Sequence, residues 1–423
     1  MHPKRTFPIA LSSTAVVVVS LFVTTMEGFN LVVFGQALPL LLDDTNIHLT
    51  SAGAGLLGAM VYLGSLPTTF IATILAEKLG RHRILLLCAL LFTVGSVLSA
   101  VAANAILLGL ARFICGLAVG GAVTTAMTLA RNNAKPHRVS LVITITMAGI
   151  PAGGTIASLL SVALEGAGFT WRSFFWVGAI VSALILVLLA CTTAKEPTEV
   201  LESDVSSSGR ILALFRGRML LPVVSLAMLS TFNMLTWLGV NAWLAESIRS
   251  AGHSLQVALS FGMVLSLSAI AGSFVLAWCA DRFSSTVVTA VASSIALIGL
   301  LGLFTGSAAL PLAIASTVLL GIGGHSTQNL LSATASKAVS PESRGSILAI
   351  TNSMSSIGSF FGPIVGGAAY GIAAHSGVFL AFSITMGICV MFAWIVFANL
   401  HKHRSTVTTQ PVTSSPTPPV IAG

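Results

Sequence analysis

Polar residues in this chain gather in short clusters, and the stretches between them are almost wholly apolar. A helix that spans a bilayer needs about 20 such residues, and the chain offers twelve runs of that order. They fall at 11–40, 52–76, 84–103, 105–129, 140–163, 174–193, 219–246, 255–279, 286–306, 310–335, 346–371 and 377–399. The breaks near 104, 307 and 375 are the shortest. Runs this long, without the period-two alternation of a half-buried strand, predict helices throughout. The fold class expected is an all-α membrane protein with twelve transmembrane helices.

Composition agrees. The 423 residues are 55% hydrophobic and only 8% charged, against about 25% charged in soluble domains. The first run follows Lys4 and Arg5, as a signal peptide would, but it is too long for a signal core and lacks a small-residue cleavage site, so it reads as retained. The net charge of +8 sits in the breaks. Seventeen of the twenty basic residues fall on one side of the twelve-span arrangement; Arg172 and Arg249 fall on the other, and Arg112 lies within a run. By the positive-inside rule, both termini are cytoplasmic in a multi-pass protein of the cell membrane. That distribution is topology rather than a nucleic-acid surface. The five cysteines lie in or at the ends of apolar runs, without metal-ligand or disulfide spacing. No nucleophile–base set, phosphate loop or metal cluster stands out, so neither an enzyme nor a cofactor is expected.

Against this background Glu27 is the one acidic residue that the pattern cannot place in water. A carboxylate at mid-bilayer costs roughly 2.5–3.5 kcal/mol on insertion scales, so an intramembrane acid points to proton handling. The plainer alternative is a buried acid neutralised by hydrogen bonds to its neighbours.

The longest internal polar stretch, 194–218, separates six runs from six. The expected organisation is an N-terminal six-helix bundle (1–193), a cytoplasmic linker (194–218), a C-terminal six-helix bundle (219–400) and a disordered cytoplasmic tail (401–423). The halves echo one another. Ala76-Glu77-Lys78 after the second run is matched, 204 residues later, by Ala280-Asp281-Arg282 after the eighth, and Gly120 by Gly324 at the same offset. Such repeats suggest two pseudo-symmetric bundles around a site near the midplane.

After the second run the chain reads Leu75-Ala76-Glu77-Lys78-Leu79-Gly80-Arg81-His82-Arg83. It resembles the signature loop of the major facilitator superfamily, Gly-x-Leu-Ala-Asp-Arg-x-Gly-Arg-Arg, with Thr73 in place of the leading Gly. The fourth run, Arg112-Phe113-Ile114-Cys115-Gly116 through Gly120-Gly121, is similar to that family's Arg-x-x-x-Gly-x-Gly-x-Gly-Gly pattern. The resemblance implies the major facilitator fold and a conformational gate at Glu77, Lys78, Gly80, Arg81 and Arg83, repeated at Asp281 and Arg282.

Within the superfamily, Met26-Glu27-Gly28-Phe29-Asn30 leading to Gly35 resembles the first helix of the aromatic acid:proton symporters, which carries Asp-Gly-x-Asp and then Gly. Trp171-Arg172-Ser173-Phe174-Phe175, Ala213-Leu214-Phe215-Arg216 and Gly323-Gly324-His325 through Asn329 are also similar to that group. The departures are Glu27 for the first Asp, Asn30 for the second, and Ser356 where an arginine is usual. The resemblance implies a proton-coupled symporter importing a small aromatic carboxylate such as benzoate or a hydroxybenzoate. Its partners are that acid, a proton and the lipid bilayer, and it is expected to act as a monomer. A proton-coupled multidrug exporter of the same superfamily is the rival, weakened by Ile150-Pro151 where exporters have Gly-Pro. A transporter-like receptor would need an appended signalling domain or an extended cytoplasmic tail, and the tail here is short and featureless.

Glu27, Arg112 and His325 are the ionisable residues well inside the runs, and they are the candidates for proton coupling. Counted from segment centres, Glu27 and Arg112 differ in depth by roughly 5 Å, within reach of an ion pair that a substrate carboxylate could break. The plainer alternative for Arg112 is a purely structural partner of Glu27 and backbone carbonyls. His325 titrates near neutrality or serves as a neutral cavity residue, and Gln328 and Asn329 share its helix face. Asn233, Trp237 and Asn241 recur every four residues and offer an amide–indole–amide stripe for a planar ligand, or else a packing seam. With Asn30 and Arg112, these complete the expected substrate site.

Overall fold

The computed structural model describes residues 9–135, 138–193, 214–215, 219–340 and 343–408. Twelve helices fill them. α1 (Ser13–Asp43), α2 (Ser51–Leu79), α3 (Arg81–Ala100), α4 (Ala105–Asn132), α5 (Val139–Gly166) and α6 (Trp171–Ala190) make one bundle. α7 (Leu220–Ser250), α8 (Leu255–Arg282), α9 (Ser285–Gly306) and α10 (Leu310–Ala338) begin the other. The span Arg344–Thr408 completes it and is broken at Ala373 and Ala374, where Ala374 has φ 48°. α11 (344–372) and α12 (375–408) are therefore separate helices, divided at one of the three shortest breaks in the sequence.

Local chemistry ends the helices where hydropathy alone is vague. Ser12, Thr50, Asn104 and Ser254 cap α1, α2, α4 and α8, each accepting a backbone N–H of the first turn, which satisfies a donor that the helix leaves open. Gly80, at φ 90°, joins α2 directly to α3; a side chain at that φ is strained, so the turn calls for glycine. Leu and Ile line the outer surface, with Ile106 76% and Leu184 65% exposed, as lipid contact requires.

The helices overrun the expected runs by a few residues, and this matters at two ends. α1 reaches Asp43, and α7 continues past residue 246 to Ser250. Glu246, expected in water at a segment end, is instead 3% exposed. The last helix runs on to Thr408, past the expected tail boundary at 401. The linker expected at 194–218 lies outside the described residues except Leu214 and Phe215, as does the tail from 409. Lys4, Arg5, Lys195, Arg210, Arg216 and Arg218 lie outside them too. Ile9–Ala10 pairs in parallel with Thr192–Thr193, a short strand contact that the apolar pattern did not anticipate.

The two bundles approach most closely toward the Asp43 end. An added Cβ at Gly35 of α1 would overlap the Asn241 carbonyl oxygen of α7, and one at Gly55 of α2 would lie 2.6 Å from the Pro363 carbonyl oxygen of α11. Helices this close need glycine at the crossing.

Candidate functional site

α1 and α4 run antiparallel, and their facing stripes decide the environment of the two buried charges. Glu27 is 4% exposed, lies beside the Val123 backbone of α4, and its Oε2 has no hydrogen-bond partner. Arg112 is 2% exposed. Its Nη2 donates to the Asn30 main-chain oxygen at 3.0 Å, and its guanidinium carbon stands 5.4 Å from the Phe34 ring centre and 6.0 Å from that of Phe175. Nε and Nη1 have no partner.

The expected ion pair is therefore corrected: Glu27 and Arg112 do not meet. Phe34 lies seven residues beyond Glu27, about 10 Å along α1, so the two charges share a seam two turns apart. Cation–π contact, worth about 2 kcal/mol when desolvated, and the bond to Asn30 offset part of the cost of burying Arg112. Asn30 itself is closed within the bundle. Its Nδ2 donates to the Met26 carbonyl oxygen at 3.0 Å, and its Oδ1 accepts from Ser96 Oγ at 3.0 Å.

In the second bundle the sequence candidates do converge. Asn233 of α7 donates to Gln328 Oε1 of α10 at 3.4 Å, and Gln328 Nε2 donates to Ser355 Oγ of α11 at 3.0 Å. Ser355 meets Ser230, whose hydroxyl lies 2.7 Å from the Thr351 carbonyl oxygen. Trp237 and His325 face each other at 5.6 Å, inclined by 53°. Asn329 lies 3.2 Å from His325 Nδ1. Asn241 stands apart from this group. It donates to the Trp237 carbonyl oxygen within its own helix, at the seam with α1. An indole, an imidazole and three amides, exposed in part at Asn329, can hold a planar ligand by ring contact and hydrogen bonds.

Sequence reasoning missed Phe34, Phe175, Ser273 and Gln36. Gln36 is 2% exposed with Oε1 unpartnered, and as an amide inside an apolar run it carried a signal that was overlooked. Among the described residues no group of three or more His, Cys, Asp or Glu side chains could hold a metal.

The proposed gate residues lie together at one end of the molecule. Glu77 and Lys78 are exposed on the last turn of α2, Gly80 makes the turn, and Arg81 and Arg83 open α3. Asp281 and Arg282 are exposed at the end of α8, and Arg282 stands 5.9 Å from the Trp278 ring centre.

The opposite end carries two ionic clusters. Arg249 of α7 binds Asp43 of α1 through Nη1 at 2.5 Å and Nη2 at 3.1 Å, and it donates from Nε to Glu246 at 2.9 Å. Tyr370 of α11 donates its hydroxyl to Glu246 at 2.5 Å. Asp44, just past α1, accepts from Trp171 Nε1 at 2.9 Å and from Arg172 at 3.3 Å. The two basic residues on the poorly charged side are thus each matched to acids. The Trp171 indole, with Asn46 and Arg172, pulls the Asp44 carboxyl down to about 2.

A depressed carboxyl stabilises the fold above its unfolded pKa of about 3.9, and the contribution is lost as pH falls toward about 2. Thermal unfolding in detergent should therefore show a larger drop in midpoint from pH 5 to pH 3 for the parent protein than for Asp44→Asn. Identical drops would exclude this contribution.

Comparison with known proteins gives a consistent picture. Residues 20–363 and 301–421 match the profile of the Major Facilitator Superfamily. A gentisate transporter from Corynebacterium glutamicum is 28% identical over 84% of this chain and 80% of its own. A 3-(3-hydroxy-phenyl)propionate transporter from Escherichia coli is 27% identical over 72% and 74%. A benzoate transport protein from Acinetobacter baylyi is 25% identical over 89% and 88%. Among solved structures, a D-xylose–proton symporter superposes with a TM-score of 0.73 at 18% identity, covering 89% of this chain and 96% of that one.

Proposed function

Because the chain belongs to the Major Facilitator Superfamily, and is by that membership a multi-pass membrane transporter rather than an enzyme, we propose that it is a symporter that imports a small aromatic carboxylate together with a proton. The observation that carries the substrate class is the set of relatives. Proteins named for gentisate, 3-(3-hydroxy-phenyl)propionate and benzoate each match this chain over more than two thirds of its length. The side chains of the second-bundle cluster support it, since Trp237, His325 and the amides of Asn233, Gln328 and Asn329 suit a flat ring bearing polar substituents.

The coupling proton is assigned to Glu27, whose Oε2 lacks a partner and has room in its hydrogen bonding for an added proton. Arg112 positions α1 through Asn30 in this conformation; a substrate carboxylate reaches it only once α1 and α4 part. By the distribution of basic residues, the Glu77 end faces the cytoplasm and the Arg249–Asp43 bridge closes the outer end. The two bundles then rock about the midplane site, with the Glu77 and Asp281 loops gating the inner end.

Uptake of a labelled panel of benzoate, hydroxybenzoates and gentisate by proteoliposomes tests this directly. An inward proton gradient should drive accumulation of at least one acid. Gradient-driven extrusion of lipophilic cations, with no acid taken up, would replace the reading with that of an exporter.

A further inference from the structure

The Ser273 hydroxyl of α8, 2.9 Å from His325 Nδ1, belongs with the second-bundle cluster. A separate crevice of about 140 Å³ opens on the outer surface of the first bundle, among α2, α3 and α4. Ile71 and Leu75 of α2, Ile84 and Leu87 of α3, and Leu117 of α4 line it. Thr68 brings a hydroxyl to the lining, but that hydroxyl donates to the Gly64 carbonyl oxygen at 3.1 Å. Ile71 is 47% exposed and Leu87 43%, so the crevice is open to the acyl chains of a bilayer. An apolar cavity of about this size stays dry and takes an apolar guest.

The apolar stripes that line the crevice run into basic residues. Lys78 lies three residues after Leu75, Arg81 three before Ile84, and Arg83 four before Leu87. These spacings put each pair on one helix face. Lys78 and Arg83 are exposed and Arg81 is half-buried. From Thr68 to Lys78 the face extends about 15 Å at 1.5 Å per residue, half of a hydrocarbon core about 30 Å thick. That is the depth of one leaflet. Three cations stand at its end against the one carboxylate of Glu77. The second half does not repeat them. At the offset of 204 residues Asp281 and Arg282 match Glu77 and Lys78, but Ser285 and Val287 stand opposite Arg81 and Arg83. The acid–cation pair recurs without the two arginines, so the repeat of the gate does not account for them.

We propose that this face binds one anionic phospholipid, with an acyl chain in the crevice and the phosphate at Lys78, Arg81 and Arg83. Charge complementarity selects the occupant. A zwitterionic lipid fills the crevice equally well but brings an ammonium group to a cluster that is already positive. Basic side chains gathered at a membrane face attract acidic lipids in this way. The bound lipid clamps α2 to α3 across the Gly80 turn, which makes this end of the molecule sensitive to the charge of the adjoining leaflet.

Native mass spectrometry of the full-length protein in detergent, offered phosphatidylglycerol and phosphatidylcholine of equal chain length, tests this. The parent should retain phosphatidylglycerol over phosphatidylcholine by about tenfold, and Arg81→Gln combined with Arg83→Gln should lower that to about twofold. Leu87→Trp, at the exposed rim, keeps the charges and narrows the crevice, so it should weaken retention of phosphatidylglycerol severalfold. Arg282→Gln, at the matching place in the second half, should leave both lipids as they are in the parent. Equal retention of the two lipids by the parent would overturn the proposal, and so would an unchanged preference in the arginine variant. A Leu87→Trp protein that holds phosphatidylglycerol as tightly as the parent would also overturn it, since that is headgroup attraction without a crevice. Glycerol phosphate, which carries the charge without chains, should not displace the lipid at equal concentration; displacement would replace the lipid site with a phosphate site.

Discussion

Glu27→Gln is expected to abolish proton-driven accumulation of the substrate while exchange across the membrane persists at a reduced rate. The amide matches the protonated carboxyl in shape, and Oε2 makes no hydrogen bond that the change would break. Folding should survive the change, because the neutral side chain avoids the cost of a charge at mid-bilayer. Coupling should not, because an amide cannot release a proton on the inner side. With one proton per substrate, a gradient of one pH unit supports about tenfold accumulation. The variant should fall to no accumulation in proteoliposomes, while counterflow of labelled against unlabelled substrate remains measurable. Tenfold accumulation in the variant would remove Glu27 from the mechanism.

Arg249→Ala should have the second large effect, on conformation rather than on coupling. Arg249 joins Asp43 of the first bundle to Glu246 of the second, and Glu246 is 3% exposed. Removing the guanidinium breaks the bridge and leaves a buried carboxylate with Tyr370 as its remaining described partner. Losing one partner of a fully buried pair costs about 3–5 kcal/mol. Only the Asp43 contact crosses between the bundles, and Asp43 is 57% exposed, so the part that differs between closed and open conformations is about 1 kcal/mol. The balance should shift roughly fivefold toward a conformation open at the Asp43 end. A cysteine at Asn241, behind the close contact of α1 and α7, reads this out. Its labelling by an impermeant thiol reagent from the outer side should rise sharply when Arg249 is replaced, and unchanged labelling would show that the bridge does not hold the bundles shut.

These expectations rest on features of unequal legibility. The twelve helices were readable because the bilayer imposes one length on every span, and the turn at Ala373–Ala374 coincides with a dip in hydropathy. Glu27 was readable because nothing near it in sequence could solvate it. Glu246 was not. Its partners are Arg249, one turn further along α7, and Tyr370, 124 residues away, and α7 has to continue to Ser250 for the first of them to be in place. The Arg112 environment was misjudged for a related reason: depth counted from segment centres carries an error of several residues, and at about 1.5 Å each that decides whether two charges touch. The α7–α10 cluster was found in part because four-residue spacing shows which side chains share a face. Ser273 escaped notice because a single hydroxyl in an apolar helix looks like any other until the facing helix is known.

The first and sixth helices are fastened together at both rims. Ile9–Ala10 hydrogen-bonds alongside Thr192–Thr193 at one, and Asp44 holds Trp171 and Arg172 at the other. Such a double hoop resists shear between its neighbours, so α1 cannot tilt by itself to carry Glu27 from one compartment to the other. In the proposed mechanism the acid would therefore travel with its whole half of the molecule, and proton release would be timed by that half swinging as a solid piece.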